Sequence, residues 1–415
     1  MKATDRPTSD PVTYHTLPSG LRMVHRLTPG ATEYCGVAVG AGTRDEPEHL
    51  HGLAHFVEHT IFKGTSQHRA SYILNRMESV GGELNAYTTK EETMVYAVMP
   101  RGNYRRATAL IAELVIDSEF PQREIDRERE VIADEIDSYL DTPSEAVYDD
   151  FEDLLFAGSP LGHNILGTRD SIAGITSADC RRYLTDHYTA DNMVYFYSGP
   201  ETPERVFTYA GRMFASLPAT ASRPQRTPLA TTGRFDIRRT DSASHQAHTV
   251  IGTRVPGLHS PDRYAMALLS NILGGPGMNA QLNVALRERR GLVYTVESSV
   301  TLLSDTGIMA IYFGCDPDDT DRCLRLVAQC IDRLTDRWLT PRHLDAARRQ
   351  YLGQLAVSSD NKEQMALSTG RSMLCYGTVP DAATTRDRIL AITADHLRTA
   401  AAALAPDRLS RLTLT

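Results

Sequence analysis

Apolar positions along this chain switch between two periods. LRMVHRL (21–27) and YCGVAVGAG (34–42) alternate or run apolar for a few residues and stop at Gly or Pro, which predicts strands. Residues 49–62 and 69–80 place apolar side chains three and four apart and read as helices. ELNAYTT (83–89) and TMVYAVM (93–99) return to strand character. A long helical tract follows in YRRATALIAELVIDSEF, PQREIDREREVIADEIDSYL and SEAVYDDFEDLLF, with Pro121 suited to a helix start. NMVYFYSG (192–199) is one more strand. LPATASRPQRTPLATTG (217–233), rich in Pro, Ser and Thr, reads as a linker.

Beyond the linker the order repeats. FDIRRT and AHTVIGTRV are strand-like, 260–273 and 278–289 helical, LVYTVESS and TGIMAIYFG strand-like, and helices follow from 318. The pattern suggests an internal duplication. Its strongest register sets REIDREREVIADEI (123–136) on RHLDAARRQYLGQL (342–355), so that Asp126 meets Asp345 and Arg129 meets Arg348. The expected architecture is α+β: two homologous domains, each a mainly antiparallel sheet covered by helices. The expected bounds are 11–216 and 234–415, joined by 217–233.

Length agrees with two domains, since 415 residues exceed one ordinary core. Apolar residues make up 41% and charged residues 23%, an ordinary globular balance. A net charge of −8 gives no basic face for nucleic acid. No apolar run is long enough for a membrane helix. The polar start MKATDRPTSDPVTYHTLPSG lacks a signal-peptide core and an Arg-rich leader pattern, so a cytoplasmic address is expected. Six scattered cysteines without C-x-x-C argue against a disulfide framework or a thiolate zinc site.

The duplication changes the picture because its halves differ in chemistry. HFVEH (55–59) stands near MALLS (266–270), and Glu128 and Glu135 meet Ala347 and Gln354. A core needs helices in both halves, but not two imidazoles and a carboxylate in one. His55 and His59, four apart on a helix, share one face and can aim two nitrogens at one ion. Glu58 leans toward that face and is free to act as a base. This H-x-x-E-H order is the inverted form of a known zinc signature. Zinc needs a third ligand from another element. Glu128 and Glu135, two turns apart on one helix face, are the candidates, while Glu130, Asp134 and Asp137 read as solvated. His49 and His51 lie off the helix face and read as loop residues.

GLAHFVEHTIFKGT, GGELNAYTTKEET, EREVIADEI and DTP resemble the zinc peptidases of the pitrilysin and mitochondrial processing peptidase superfamily, over nearly the whole chain. The resemblance implies one zinc ion per chain on His55, His59 and Glu135, with Glu58 as general base and Glu128 as a carboxylate supporting the site. It implies that the strand holding Asn85 and Ala86 binds peptide by strand addition. It also implies that Arg287 and Tyr294 in LRERRGLVYTV bind substrate and stabilise a developing oxyanion; by spacing alone they are a helix-end arginine and a core tyrosine. The loop ILGGPGMN lacks the Lys-Ser/Thr of a phosphate loop. The function expected is a zinc endopeptidase acting on peptides, the alternatives being a presequence-processing enzyme or a non-catalytic partner subunit. Because one two-domain chain carries both residue sets, a homodimer is expected.

Overall fold

The computed structural model describes residues 12–220, 229, 233–240, 245–336 and 340–415; of the stretch expected as a linker, 221–228 and 230–232 lie outside the described residues. In chain order the first half forms β1 (Val12–Thr16), β2 (Arg22–Leu27), β3 (Thr32–Val39), α1 (Leu53–Thr60), α2 (Ala70–Glu78), β4 (Glu83–Thr88), β5 (Thr93–Pro100), α3 (Tyr104–Asp117), α4 (Gln122–Leu140), α5 (Pro143–Leu155), α6 (Arg169–Ala173), α7 (Ser177–His187), β6 (Met193–Gly199) and α8 (Pro203–Met213). The second half forms β7 (Asp236–Arg239), β8 (Ala247–Val255), α9 (Arg263–Gly274), β9 (Val293–Leu302), β10 (Gly307–Cys315), α10 (Thr320–Asp336), α11 (Pro341–Ser358), α12 (Lys362–Tyr376), α13 (Ala382–Leu390), α14 (Ala394–Ala402) and β11 (Ser410–Leu414).

The chain folds into two compact units, and each takes a segment from the other half of the sequence. One comprises Met1–Ile136, Asn164–Thr227 and Ser359–Ala382; the other comprises Asp137–His163, Pro228–Ser358 and Ala383–Thr415. The first unit is built on a sheet of order β1-β2-β6-β3-β5-β4, antiparallel except for the β2–β6 pair. The second has the order β7-β11-β8-β10-β9, antiparallel except for β7–β11. Removing β1 leaves the same topology, with β4 and β9 as equivalent edge strands.

Burial follows position in the sheet. β6 is buried at every residue because α12 covers the face opposite the main core, where Val24, Ala38, Met94, Val194, Phe196, Ala366 and Met373 cluster. A strand buried on both faces reads as a near-continuous apolar run, as MVYFY does, and its buried Ser198 hydroxyl is paired with that of Thr28. β10 is likewise buried throughout, and α5 packs beside β8 and β11 in the second unit through Val147, Phe151 and Leu155. By contrast β4 is only partly covered and pairs with β5 alone.

The register read from the sequence reappears as matched contacts. Arg129 pairs with Asp126 and donates to the Ile172 and Ile175 carbonyls; Arg348 pairs with Asp345 and donates to the Ile392 carbonyl. Each accepting segment leads into a capped helix, Thr176 holding the Asp179 N–H and Thr393 the His396 N–H. Periodicity did not foresee β1, β11 or α6–α8. The helix expected at 49–62 is shorter, because Gly52 is left-handed at φ 93° and starts the helix only there. The helix expected at 278–289 contains a π-helical turn over Asn283–Glu288.

Candidate metal centre

α1 has two faces. Leu53, Phe56, Val57 and Thr60 are buried and face the core on one side; His55, Glu58 and His59 occupy the other. Gly52 opens the helix where no other residue fits, since its φ is positive and a Cβ would come within 2.6 Å of the Leu166 carbonyl oxygen. α1 packs beside β4, so the functional face lies next to the sheet edge.

The second element is α4. Ile125, Ile132 and Ile136 anchor it in the core together with Glu128, while Glu135 is exposed. His55 Nε2 lies 3.8 Å from Glu135 Oε1, and His59 Nε2 lies 3.5 Å from Glu135 Oε2. The two imidazole centroids are 4.5 Å apart. Among the described residues, His55, His59 and Glu135 are the one group of three or more His, Cys, Asp or Glu whose donor atoms, all within 4.8 Å of one another, could hold a metal ion.

The surroundings fit a cation. His59 Nδ1 is 3.1 Å from Glu128 Oε1, and Glu128 Oε2 is 2.8 Å from Lys63 Nζ. With a proton on Nδ1, that contact leaves Nε2 as a lone-pair donor facing Glu135. Burial above all, and then the neighbouring His59, depress His55 to a pKa of about 3, so its imidazole is neutral and able to ligate. His55 Nδ1 and Glu58 Oε2 are buried without a hydrogen-bond partner. Burial raises the Glu58 carboxyl above its ordinary value, opposed by hydrogen bonds from the Thr88 hydroxyl and backbone. Two imidazoles, a carboxylate and an unsatisfied acceptor beside them are a donor set suited to zinc.

The remaining sequence-derived residues divide between the units. Asn85 and Ala86 sit on edge strand β4, facing opposite sides of the sheet: Ala86 packs on the core beneath α1, while Asn85 stands opposite Tyr96 of β5. Arg287 and Tyr294 belong to the second unit. Arg287 lies in the π-helical turn, half exposed and 3.8 Å from Glu288. Tyr294 is 84% exposed on edge strand β9, so it is not the core tyrosine that spacing alone suggests. Where the first unit carries Glu135, the second carries Gln354, which accepts a hydrogen bond from Asn271 at 2.7 Å. Sequence reasoning passed over Lys63, Thr88 and Glu46. The last accepts from the Gly52 and Ala54 backbone N–H groups at the start of α1.

Fold and site together define a duplicated α+β protein whose metal-type cluster, among the described residues, lies in one half. Residues 22–169 match the family model described as insulinase (peptidase family M16), and residues 174–351 match that of the peptidase M16 inactive domain. An uncharacterized zinc protease of Mycobacterium tuberculosis is 32% identical over 367 residues, covering 87% of this chain and 83% of that one. The mitochondrial-processing peptidase subunit beta of Pongo abelii is 29% identical over 391 residues, covering 92% and 80%. A protease from Helicobacter pylori shares the fold with a TM-score of 0.92 over 98% of this chain and 99% of its own, at 19% identity. The chain belongs to peptidase family M16. Among the described residues, no helix is long and apolar enough to cross a membrane.

Proposed function

We propose that this protein is a zinc-dependent endopeptidase that cuts extended peptide segments. The observation that carries the reading is the convergence of His55, His59 and Glu135 on one point, with the unpartnered Glu58 oxygen on the same helix face beside an unpaired sheet edge. A zinc ion held by those three residues supplies a Lewis acid for the scissile carbonyl and lowers the pKa of a neighbouring water. Glu58 accepts a proton from the attacking water on Oε2 and returns it to the leaving amine. The raised carboxyl suits this exchange, because it brings the protonated and ionised forms closer in energy near neutral pH. Glu128 takes no proton in this scheme; braced by Lys63, it holds the His59 ring.

The substrate lies along β4. One side of that strand pairs with β5 and the other pairs with no strand among the described residues, so an extended peptide can add to it through main-chain hydrogen bonds near Asn85 and Ala86. Arg287 and Tyr294 bind the peptide and donate to the developing oxyanion. We assign them to the site of a second copy in a homodimer, a reading supported by the exposed Tyr294 phenol and by Arg287, whose ion contact is the distant one to Glu288.

The test is metal analysis combined with a quenched-peptide assay. The purified protein should hold about one zinc per chain. Hydrolysis should stop on chelation with phenanthroline and return with zinc. Glu58→Gln should keep its zinc yet lose about 10²- to 10⁴-fold in kcat; Glu135→Gln should lose zinc itself. Hydrolysis that survives complete metal removal would sink the proposal.

A further inference from the structure

Residues 41–46 run between β3 and α1 as a strap, and they touch both parts of the site. At one end is Glu46. The first N–H groups of any helix lack partners within it, and Gly52, at the N-cap of α1, has no side chain to supply one. Glu46 fills this gap from six residues upstream. Its Oε2 accepts the Gly52 N–H at 2.9 Å and its Oε1 the Ala54 N–H at 2.7 Å. Ala54 directly precedes His55, and α1 has only eight residues, so a shift of its first turn moves His55, Glu58 and His59 together.

Elsewhere the strap is sewn to the turn that follows β4. The Thr43 N–H donates to the Thr89 carbonyl at 3.1 Å and the Arg44 N–H to the Lys90 carbonyl at 2.8 Å. Arg44 Nη1 contacts Glu91 Oε1 at 2.5 Å, and the Thr93 hydroxyl donates to the Ala41 carbonyl at 3.0 Å. The approach is so close that a Cβ on Gly42 would collide with the Thr89 carbonyl oxygen. Just before that turn, Thr88 ends β4 beside Glu58. These contacts close a ring: Glu46 to α1, Glu58 to Thr88, the β4–β5 turn back to the strap.

We infer that Glu46 is a positioning residue that sets helix α1, with its metal-facing side chains, against the peptide-binding edge β4; this rests on the peptidase reading above. A ligand pair on a two-turn helix has little rigidity of its own, and the spacing between the Glu58 carboxylate and a peptide on β4 is fixed by what holds the two elements together. The Glu46 carboxylate carries the helix side of that link and Arg44 the strand side. Neither touches the substrate or the metal.

Glu46→Gln keeps the size of the side chain but can accept only one of the two N–H groups, and turns an amide N–H₂ toward the other. It should weaken zinc binding, measured by chelator competition, by about tenfold, as loss of other supporting contacts around metal ligands does. The cobalt-substituted protein should change its visible absorption, which reports ligand geometry. kcat should fall about tenfold while KM holds, since the peptide edge itself is intact. Arg44→Met should lower kcat with zinc affinity unchanged, because the α1 cap remains. A folded Glu46→Gln with zinc affinity, cobalt spectrum and kcat indistinguishable from wild type would overturn the inference. So would a Glu46→Gln chain that does not fold at all, since the carboxylate would then serve the whole unit rather than α1. If wild type binds zinc but cuts no peptide, the peptidase reading fails by itself, and the zinc affinity and cobalt spectrum still decide the role of Glu46.

Discussion

His55 is kept neutral by burial, and this has a consequence for the metal-free protein. Its folded pKa, about 3, lies below the ordinary 6.5 it regains on unfolding. Between those values the unfolded chain binds a proton that the folded chain refuses. Stability is therefore present above 6.5 and is lost as pH falls toward 3, with a slope from this residue of at most ~1.4 kcal/mol per pH unit. Urea unfolding of metal-free wild type and His55→Leu across this range should show a shallower pH slope for the variant. Equal slopes would mean that His55 is solvated and titrates normally. At this scale the sequence was readable where chemistry has a fixed spacing. His55 and His59 share a face because helical geometry puts them there, and Glu58 comes with them. Spacing left Glu128 and Glu135 undivided, because both lie on one stripe of α4, and the resemblance chose Glu135. Lys63, Thr88 and Glu46 were illegible for another reason. Each acts through a contact with a separate element, and no local pattern encodes which lysine reaches Glu128 or which glutamate reaches Gly52.

At the scale of elements, periodicity found the strands and helices that bury a continuous face. It missed β1, whose residues are mostly exposed, and β11, which lies in a short run at the end of an alanine-rich helical stretch. It also drew α1 four residues too early. The starting point is set by Gly52, whose left-handed backbone and close approach to Leu166 exclude a side chain. Gly52→Ala should cost about 1–3 kcal/mol, the typical range for a residue forced into such a conformation. A lowered urea midpoint with an unchanged m-value would report it. An unaltered midpoint would show that the segment before α1 relaxes freely. The edge position of β4 was not readable either, because a half-covered strand and an edge strand can have the same residue alternation. Only the pairing order, which ends at β4, distinguishes them.

For the whole molecule, the duplication was visible in one helix register and recurs as matched arginine, carboxylate and carbonyl contacts in the two units. The register already set Gln354 where the first half keeps Glu135; what it could not show is the hydrogen bond from Asn271 that occupies Gln354 there. A single chain with one cluster and one exposed Tyr294 suits the homodimer proposed above. Inactive Glu58→Gln and inactive Tyr294→Phe should then regain activity when mixed and allowed to exchange subunits, because half of the sites in a mixed dimer hold both intact residues. No rescue despite demonstrated exchange, or an active monomer on sedimentation, would remove that assignment.

The crossed chain path matters for how this protein can be divided. α12 is encoded far into the second half yet closes the open face of the first sheet, where a Cβ on Gly370 would press on the Phe196 ring. In return, the first half supplies α5 to the second sheet. A gene cut at 217–233, between two apparently complete repeats, would therefore leave each product without the cover for one sheet face. Residues 1–220 made alone should bind a hydrophobic dye and aggregate, and co-expression with 221–415 should restore solubility. A stable, dye-silent fragment would show that α12 is dispensable. The repeats are thus interdependent in inheritance as well as in folding: neither copy could be lost, swapped or moved to another gene without taking part of its neighbour along.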